Sequence, residues 1–104
     1  MFACGDVSVD VDSTQGTIDK AVYLCKDKTL TWNANNHKFQ VKFRKKSPFA
    51  DGQKTFDNNN NVSKGYVGDK KLTVYEYDIT VDGQPVDDPQ VVGGGGHDVD
   101  SGKN

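Results

Sequence analysis

The chain has 104 residues, 34% of them hydrophobic and 27% charged, with a formal net charge of −2. That length makes one domain around one core, and the mildly acidic balance excludes the basic footprint of a nucleic-acid binder. No apolar run approaches the roughly 20 residues needed to cross a bilayer, and eleven glycines with few Ala and Met residues favour short strands and turns over long helices.

The opening MFACGDVS has neither a basic start nor an apolar stretch, so it does not read as a secretory leader; Ala3-Cys4-Gly5 faintly resembles a lipoprotein processing site. Cys4 and Cys25 are too few for a disulfide scaffold. They are expected to form one bridge if the first two strands pair and the protein is exported to a periplasmic, extracellular or virion-surface location; otherwise one thiol is buried and the other frayed.

Val7, Val9 and Val11 alternate with Ser8, Asp10 and Asp12, the pattern of a strand with one buried face. Residues 13–16 end it, residues 18–25 read as a second strand, and residues 29–32 as a third. A turn over 33–36 leads to Phe39, Val41 and Phe43 alternating with Lys38, Gln40, Lys42 and Arg44, the clearest period-two segment of the chain. Residues 45–69 lose the pattern and predict a long loop, with one short strand near Tyr66-Val67 and with Phe49 and Phe56 folding it back over the core. Residues 70–81 form a long strand with Thr73, Tyr75, Tyr77, Ile79 and Val81 on one face and Leu72 and Val74 on the other. Asp82-Gly83 signals a hairpin. QPVDDPQVV carries two prolines and reads as an edge strand or irregular chain. The domain is taken as residues 1–93 and the Gly-rich polar stretch 94–104 as a flexible tail.

About seven short strands with this spacing predict an all-β Greek-key sandwich. The order of features resembles the cupredoxin-like sandwich of bacterial type over roughly residues 5–92: a strand ending in Thr31-Trp32, a turn, His37, an alternating Phe/Val strand, Ser47-Pro48-Phe49, Gly65-Tyr66-Val67, a Tyr-rich strand and a closing Asp88-Pro89-Gln90-Val91-Val92. A blue-copper site needs two imidazoles, a thiolate and a weak axial Met. The resemblance places His37 at the family's first ligand. The loop after Val81, DGQPVDDPQ, lacks the family's Cys, second His and Met; Met1 is the chain's one Met, and His97 lies in the tail. The resemblance therefore implies a copper-free member with no cofactor.

Taken by itself, His37 reads as a turn residue that starts a strand, with a metal or redox role as the alternative. Lys38, Lys42, Arg44, Lys45 and Lys46 make a basic stripe, expected to be a solvated face, with polyanion binding as the alternative. The carboxylates Asp6, Asp10, Asp12, Asp78, Asp82, Asp87 and Asp88 are expected to serve solvated turns, with calcium as the alternative. No nucleophile elbow, phosphate loop or Cys-x-x-Cys is present, and Asn61-Val62-Ser63 matches a glycosylation acceptor. The expectation is a non-enzymatic binding or structural domain with a protein or glycan partner. Its binding surface is placed at Phe49, Phe56, Tyr66 and His37, with Lys42 and Arg44 beside them. A small redox or metal protein using His37 and an immunoglobulin-like surface or phage-assembly module are the alternatives.

Overall fold

The computed structural model describes residues 4–68, 71–86 and 90–94. These form β1 (Val7–Asp12), β2 (Gly16–Thr17), β3 (Ala21–Leu24), β4 (Leu30–Asn33), β5 (Phe39–Phe43), β6 (Thr55–Asp57), β7 (Leu72–Val81), β8 (Gln84–Pro85) and β9 (Gln90–Gly94), with no helix among the described residues. The architecture is an all-β sandwich of two packed sheets. One sheet runs β2-β1-β4; the other runs β3-β9-β7-β5-β6, with β8 also paired to β7. The β1–β4 and β3–β9 pairs are parallel and the rest antiparallel.

The predicted alternation becomes the division between core and solvent. Phe39, Val41 and Phe43 of β5 are buried while Gln40 and Lys42 are exposed. In β7, Tyr75, Tyr77, Ile79 and Val81 are buried, and Leu72, Val74, Glu76 and Asp78 point outward. Trp32 comes from the smaller sheet and sits fully buried against the larger one. Its ring lies 4.7 Å from Phe56 and edge-on to Tyr77 at 5.8 Å. Its Nε1–H donates to the Tyr77 hydroxyl at 3.1 Å, so the one polar atom of the indole is satisfied inside the core. Phe43 and Phe49 complete this aromatic cluster at 5.6 Å from each other. Burying each of these rings removes enough apolar surface from water to stabilise by about 1.5–3 kcal/mol.

Three expectations need correction. The strand expected over 18–25 is shorter, Ala21–Leu24, and a separate two-residue strand precedes it at Gly16–Thr17, outside the expected span. Gly16–Thr17 pairs with β1 in the smaller sheet and Ala21–Leu24 pairs with β9 in the larger. The bend between them carries the chain across the sandwich, as corner segments do, and is held by Lys20 Nζ donating to the Gln15 carbonyl at 2.6 Å and Thr17 Oγ1 to the Asp19 carbonyl at 2.7 Å. The C-terminal strand β9 is not at an edge: it lies between β3 and β7. Pro85 falls in β8 and Pro89 lies outside the described residues, so the β9 span Gln90–Gly94 contains no proline to interrupt its ladders. Gly94, expected to begin the flexible tail, ends strand β9 instead, and the preceding Gly93 is buried where the Tyr66 ring occupies the space a Cβ would need. The rest of the expected tail, residues 95–104, lies outside the described residues.

The long segment after β5 is largely sandwich rather than loose loop. Thr55–Asp57 adds a strand to β5 that alternation could not reveal in so short a run. Residues 61–67 then run beside 27–32: Trp32 N–H donates to the Asn61 carbonyl, Ser63 N–H to Leu30, and Tyr66 N–H to Lys28, at 2.8–2.9 Å. The free edge of β4 is thereby covered. Tyr66 is paired with Phe49 as an isolated bridge, in place of the expected short strand. The hairpin turn is as expected: Asp82 and Gly83 both have positive φ, 52° and 82°, the requirement of a type I′ turn.

Candidate functional site

His37 stands in the β4–β5 turn, where Asn35 and Asn36 adopt left-handed conformations at φ 51° and 69°. Its ring Nδ1–H donates to Asp82 Oδ2 at 2.7 Å, and the side chain is 29% exposed. Asp82 Oδ1 accepts the Lys38 N–H at 3.0 Å. Asn58 adds a third strap, donating to the His37 carbonyl and accepting the Phe39 N–H, both at 2.9 Å. The Lys38 backbone N–H, and then the His37 ring, hold the Asp82 carboxyl below the ordinary carboxylate value. His37 thus fastens the β4–β5 turn to the β7–β8 turn. Both cysteines are joined in one disulfide with Cα atoms 5.9 Å apart, so neither offers a thiolate. Among the described residues no three His, Cys, Asp or Glu side chains are placed to hold a metal ion.

The other singled-out residues are placed as follows. Phe49, Phe56 and Tyr66, expected at a binding surface, are core: each is at most 1% exposed, because the segment carrying them closes the sandwich. Lys42 is exposed on the outer face of β5. Arg44 reaches Asp78 through Nε at 3.0 Å and Nη2 at 2.9 Å, and Glu76 through Nη1 at 3.4 Å. Of the basic stripe, Arg44 is thus matched by carboxylates on the neighbouring strand. Asp12 accepts from the hydroxyl and N–H of Thr14 and from the Gln15 N–H, which depress its carboxyl pKa, with the Thr14 hydroxyl the largest cause. Asp6 accepts the Thr29 N–H, which lowers its pKa. These carboxylates are engaged in turns. Asp87 and Asp88 lie outside the described residues. The Asn61-Val62-Ser63 motif is structural as well: Asn61 Nδ2 donates to the Trp32 carbonyl at 2.9 Å, and Ser63 is buried with its hydroxyl accepting the Leu30 N–H.

A different constellation lies along β7. In the β5–β7 ladder Gln40 faces Thr80 and Lys42 faces Asp78, and the last bond runs from Arg44 N–H to the Glu76 carbonyl at 3.1 Å. The chain then bends away through residues 44–46. Over residues 72–75, β7 keeps β9 on one side, and among the described residues no strand lies on the other. Backbone groups in a strand alternate in direction, so the N–H and C=O of Leu72 and Val74 point into this gap, as the Glu76 carbonyl does. A groove of about 650 Å³ follows the gap, walled by residues 44–46 and residues 73–76. Val74, in its wall, is 52% exposed, and Leu72, two residues before it on the same face of the strand, is 67% exposed. Lys46 Nζ stands 5.9 Å from the centre of the Tyr75 ring, and neither Lys45 nor Lys46 has a carboxylate partner among the described residues. Leu72 and Val74 are legible in the sequence as apolar residues on the polar side of an alternating strand. The unpaired edge beside them is not, because it depends on where β5 turns away.

Compared with known proteins, the chain matches no family model, no curated protein and no solved structure.

Proposed function

We propose that this chain is a non-enzymatic binding domain, a copper-free sandwich of cupredoxin-like type, that takes an extended segment of a protein partner along the free edge of β7. The observation that carries the reading is the coincidence, over residues 72–75, of outward N–H and C=O groups with two exposed aliphatic side chains and a groove beside them. An unpaired edge is a template for another strand, and adding one uses main-chain hydrogen bonds for affinity and flanking side chains for specificity. The copper-free part of the reading draws support from the disulfide and from the engagement of His37 with Asp82. The disulfide also fits an oxidising, exported location. A blue-copper redox role would need His37 and a thiolate together, and His37 bonds Asp82 while both cysteines are bridged.

The test is selection of extended peptides from a random displayed library on the wild-type protein, followed by measurement on Val74→Pro and Val74→Glu. Proline removes the Val74 N–H, one of the two that point into the gap, and leaves the β9 side intact, a substitution that an edge position tolerates. Val74→Glu keeps the N–H and changes the groove wall. Selected peptides are expected to lose about tenfold or more in affinity for Val74→Pro, the equivalent of about 1.4 kcal/mol. Peptides that bind both variants as tightly as the wild type would sink the reading.

A further inference from the structure

We infer that the segment captured at the β7 edge is an acidic peptide in which acidic and apolar side chains alternate; this rests on the edge-capture reading above.

The first reason is charge. The chain as a whole carries a net −2, yet the groove wall at residues 44–46 is all cationic, and the exposed Lys71 stands immediately before the open half of β7. Arg44 is matched by Glu76 and Asp78. Lys45, Lys46 and Lys71 have no carboxylate partner among the described residues. An acidic chain with a local surplus of positive charge at one edge draws an anionic ligand to that edge. The second reason is the pleat. Successive side chains of an added strand point to opposite faces. On the outer face they meet Leu72 and Val74. On the inner side they meet the Lys46 ammonium near the Tyr75 ring. Apolar residues suit the first set and carboxylates the second.

Other occupants fit less well. Two copies of this chain joined edge to edge at β7 would bring two sets of Lys45, Lys46 and Lys71 together, and like charges facing each other oppose that pairing. A sulfated glycan has the charge but lacks the alternating amide donors and acceptors that the backbone of Leu72 and Val74 calls for. A single-stranded nucleic acid needs exposed aromatic faces for stacking, and Tyr75, the groove's aromatic residue, is buried.

The experiment uses the full chain with its disulfide intact. Isotope-labelled protein is titrated with a capped Glu-Val-Glu-Val-Glu-Val peptide, its Lys-Val counterpart, and a version of the acidic peptide N-methylated at alternate residues. Amide resonances report where each binds. The acidic peptide is expected to shift Leu72, Val74, Glu76, Lys45 and Lys46, and to bind at least about tenfold more tightly than the Lys-Val peptide, as two or three ion pairs of modest strength would provide. Its affinity should fall between about 0.1 M and about 1 M salt, where the screening length shrinks from ~10 Å to ~3 Å. Lys45→Glu combined with Lys46→Glu should reverse the preference; both side chains are exposed, so the variant is expected to fold, and its amide dispersion verifies this. Equal binding of the acidic and Lys-Val peptides at these amides would overturn the acidic class and leave edge capture standing. Acidic-peptide binding that maps elsewhere, or that survives N-methylation, would overturn both. Absence of binding by the acidic peptide would overturn the inference, and the library selection then decides edge capture by itself. Tighter binding of a heparin oligosaccharide at the same amides, or concentration-dependent shifts of the protein alone, would overturn it in favour of a glycan or a second copy.

Discussion

From Tyr77 to Val81, β7 has β5 along one side, and on the other β8 pairs with Thr80 and Val81 while the Val86 N–H reaches the Ile79 carbonyl. Its inward side chains enter the aromatic cluster around Trp32. From Leu72 to Glu76 the same strand, with the same alternation, has β9 alone as a strand partner among the described residues. One half of the strand is used up by the fold. The other half keeps backbone groups and aliphatic side chains that the fold does not use. Side-chain alternation is a local property and is identical in both halves. Edge exposure depends on where β5 ends, and β5 ends because the chain bends at residues 44–46.

The largest expected effect lies on the closed half. Phe43 faces Tyr77 in the ladder and is fully buried, so Phe43→Ala should cost about 3–5 kcal/mol, read from the urea midpoint. A change near the surface value there would break the distinction between the halves.

The disulfide comes next. It ties the N-terminal segment to Cys25, just past β3, the strand that backs β9 behind the open half. Reduction should lower stability by about 2–4 kcal/mol, and the amides of β3 and β9 should lose hydrogen-exchange protection before those of β5. Uniform loss across both sheets would show that the open half has no separate support.

Tyr77→Phe should cost about 1–3 kcal/mol at neutral pH, because the buried Trp32 Nε1–H loses its acceptor. The substitution also carries a pH signature. Burial pushes the Tyr77 hydroxyl up to about 12. A folded value raised above the unfolded one gives stability that is complete below about pH 10 and is lost as pH rises toward about 12. Denaturant midpoints across that window should fall less steeply for Tyr77→Phe than for the wild type.

The smallest effect is expected on the open half. Leu72→Lys and Val74→Thr should each change stability by no more than about 0.5 kcal/mol, since both side chains are more than half exposed. A loss comparable to that of Phe43→Ala would mean that something in the intact chain already covers this edge.

Much of the sandwich was legible in the sequence because its signals are local. Period-two alternation identified β5 and the faces of β7, Asp82-Gly83 identified the hairpin, and the scarcity of helix formers identified the class. The site was legible only in pieces. Lys45 and Lys46 stood out as charge and Leu72 and Val74 as outward aliphatics, but nothing in their spacing says that they meet. Phe49, Phe56 and Tyr66 were recognisable as large apolar residues in a polar segment. Whether such residues face solvent or core depends on what the segment packs against, and here it packs against β4 and Trp32.

The sequence by itself determined which side chains share a face, where the tight turn falls, and that a copper ligand set is incomplete, since each follows from residue identity and a period of two. The tertiary structure alone decided that residues 18–20 cross between sheets, that β9 lies inside the larger sheet, that Gly93 must leave room for the Tyr66 ring, and that one half of β7 is left open. Those outcomes rest on contacts between residues far apart in the chain, where backbone hydrogen bonds and packed volume are settled by which strands arrive side by side.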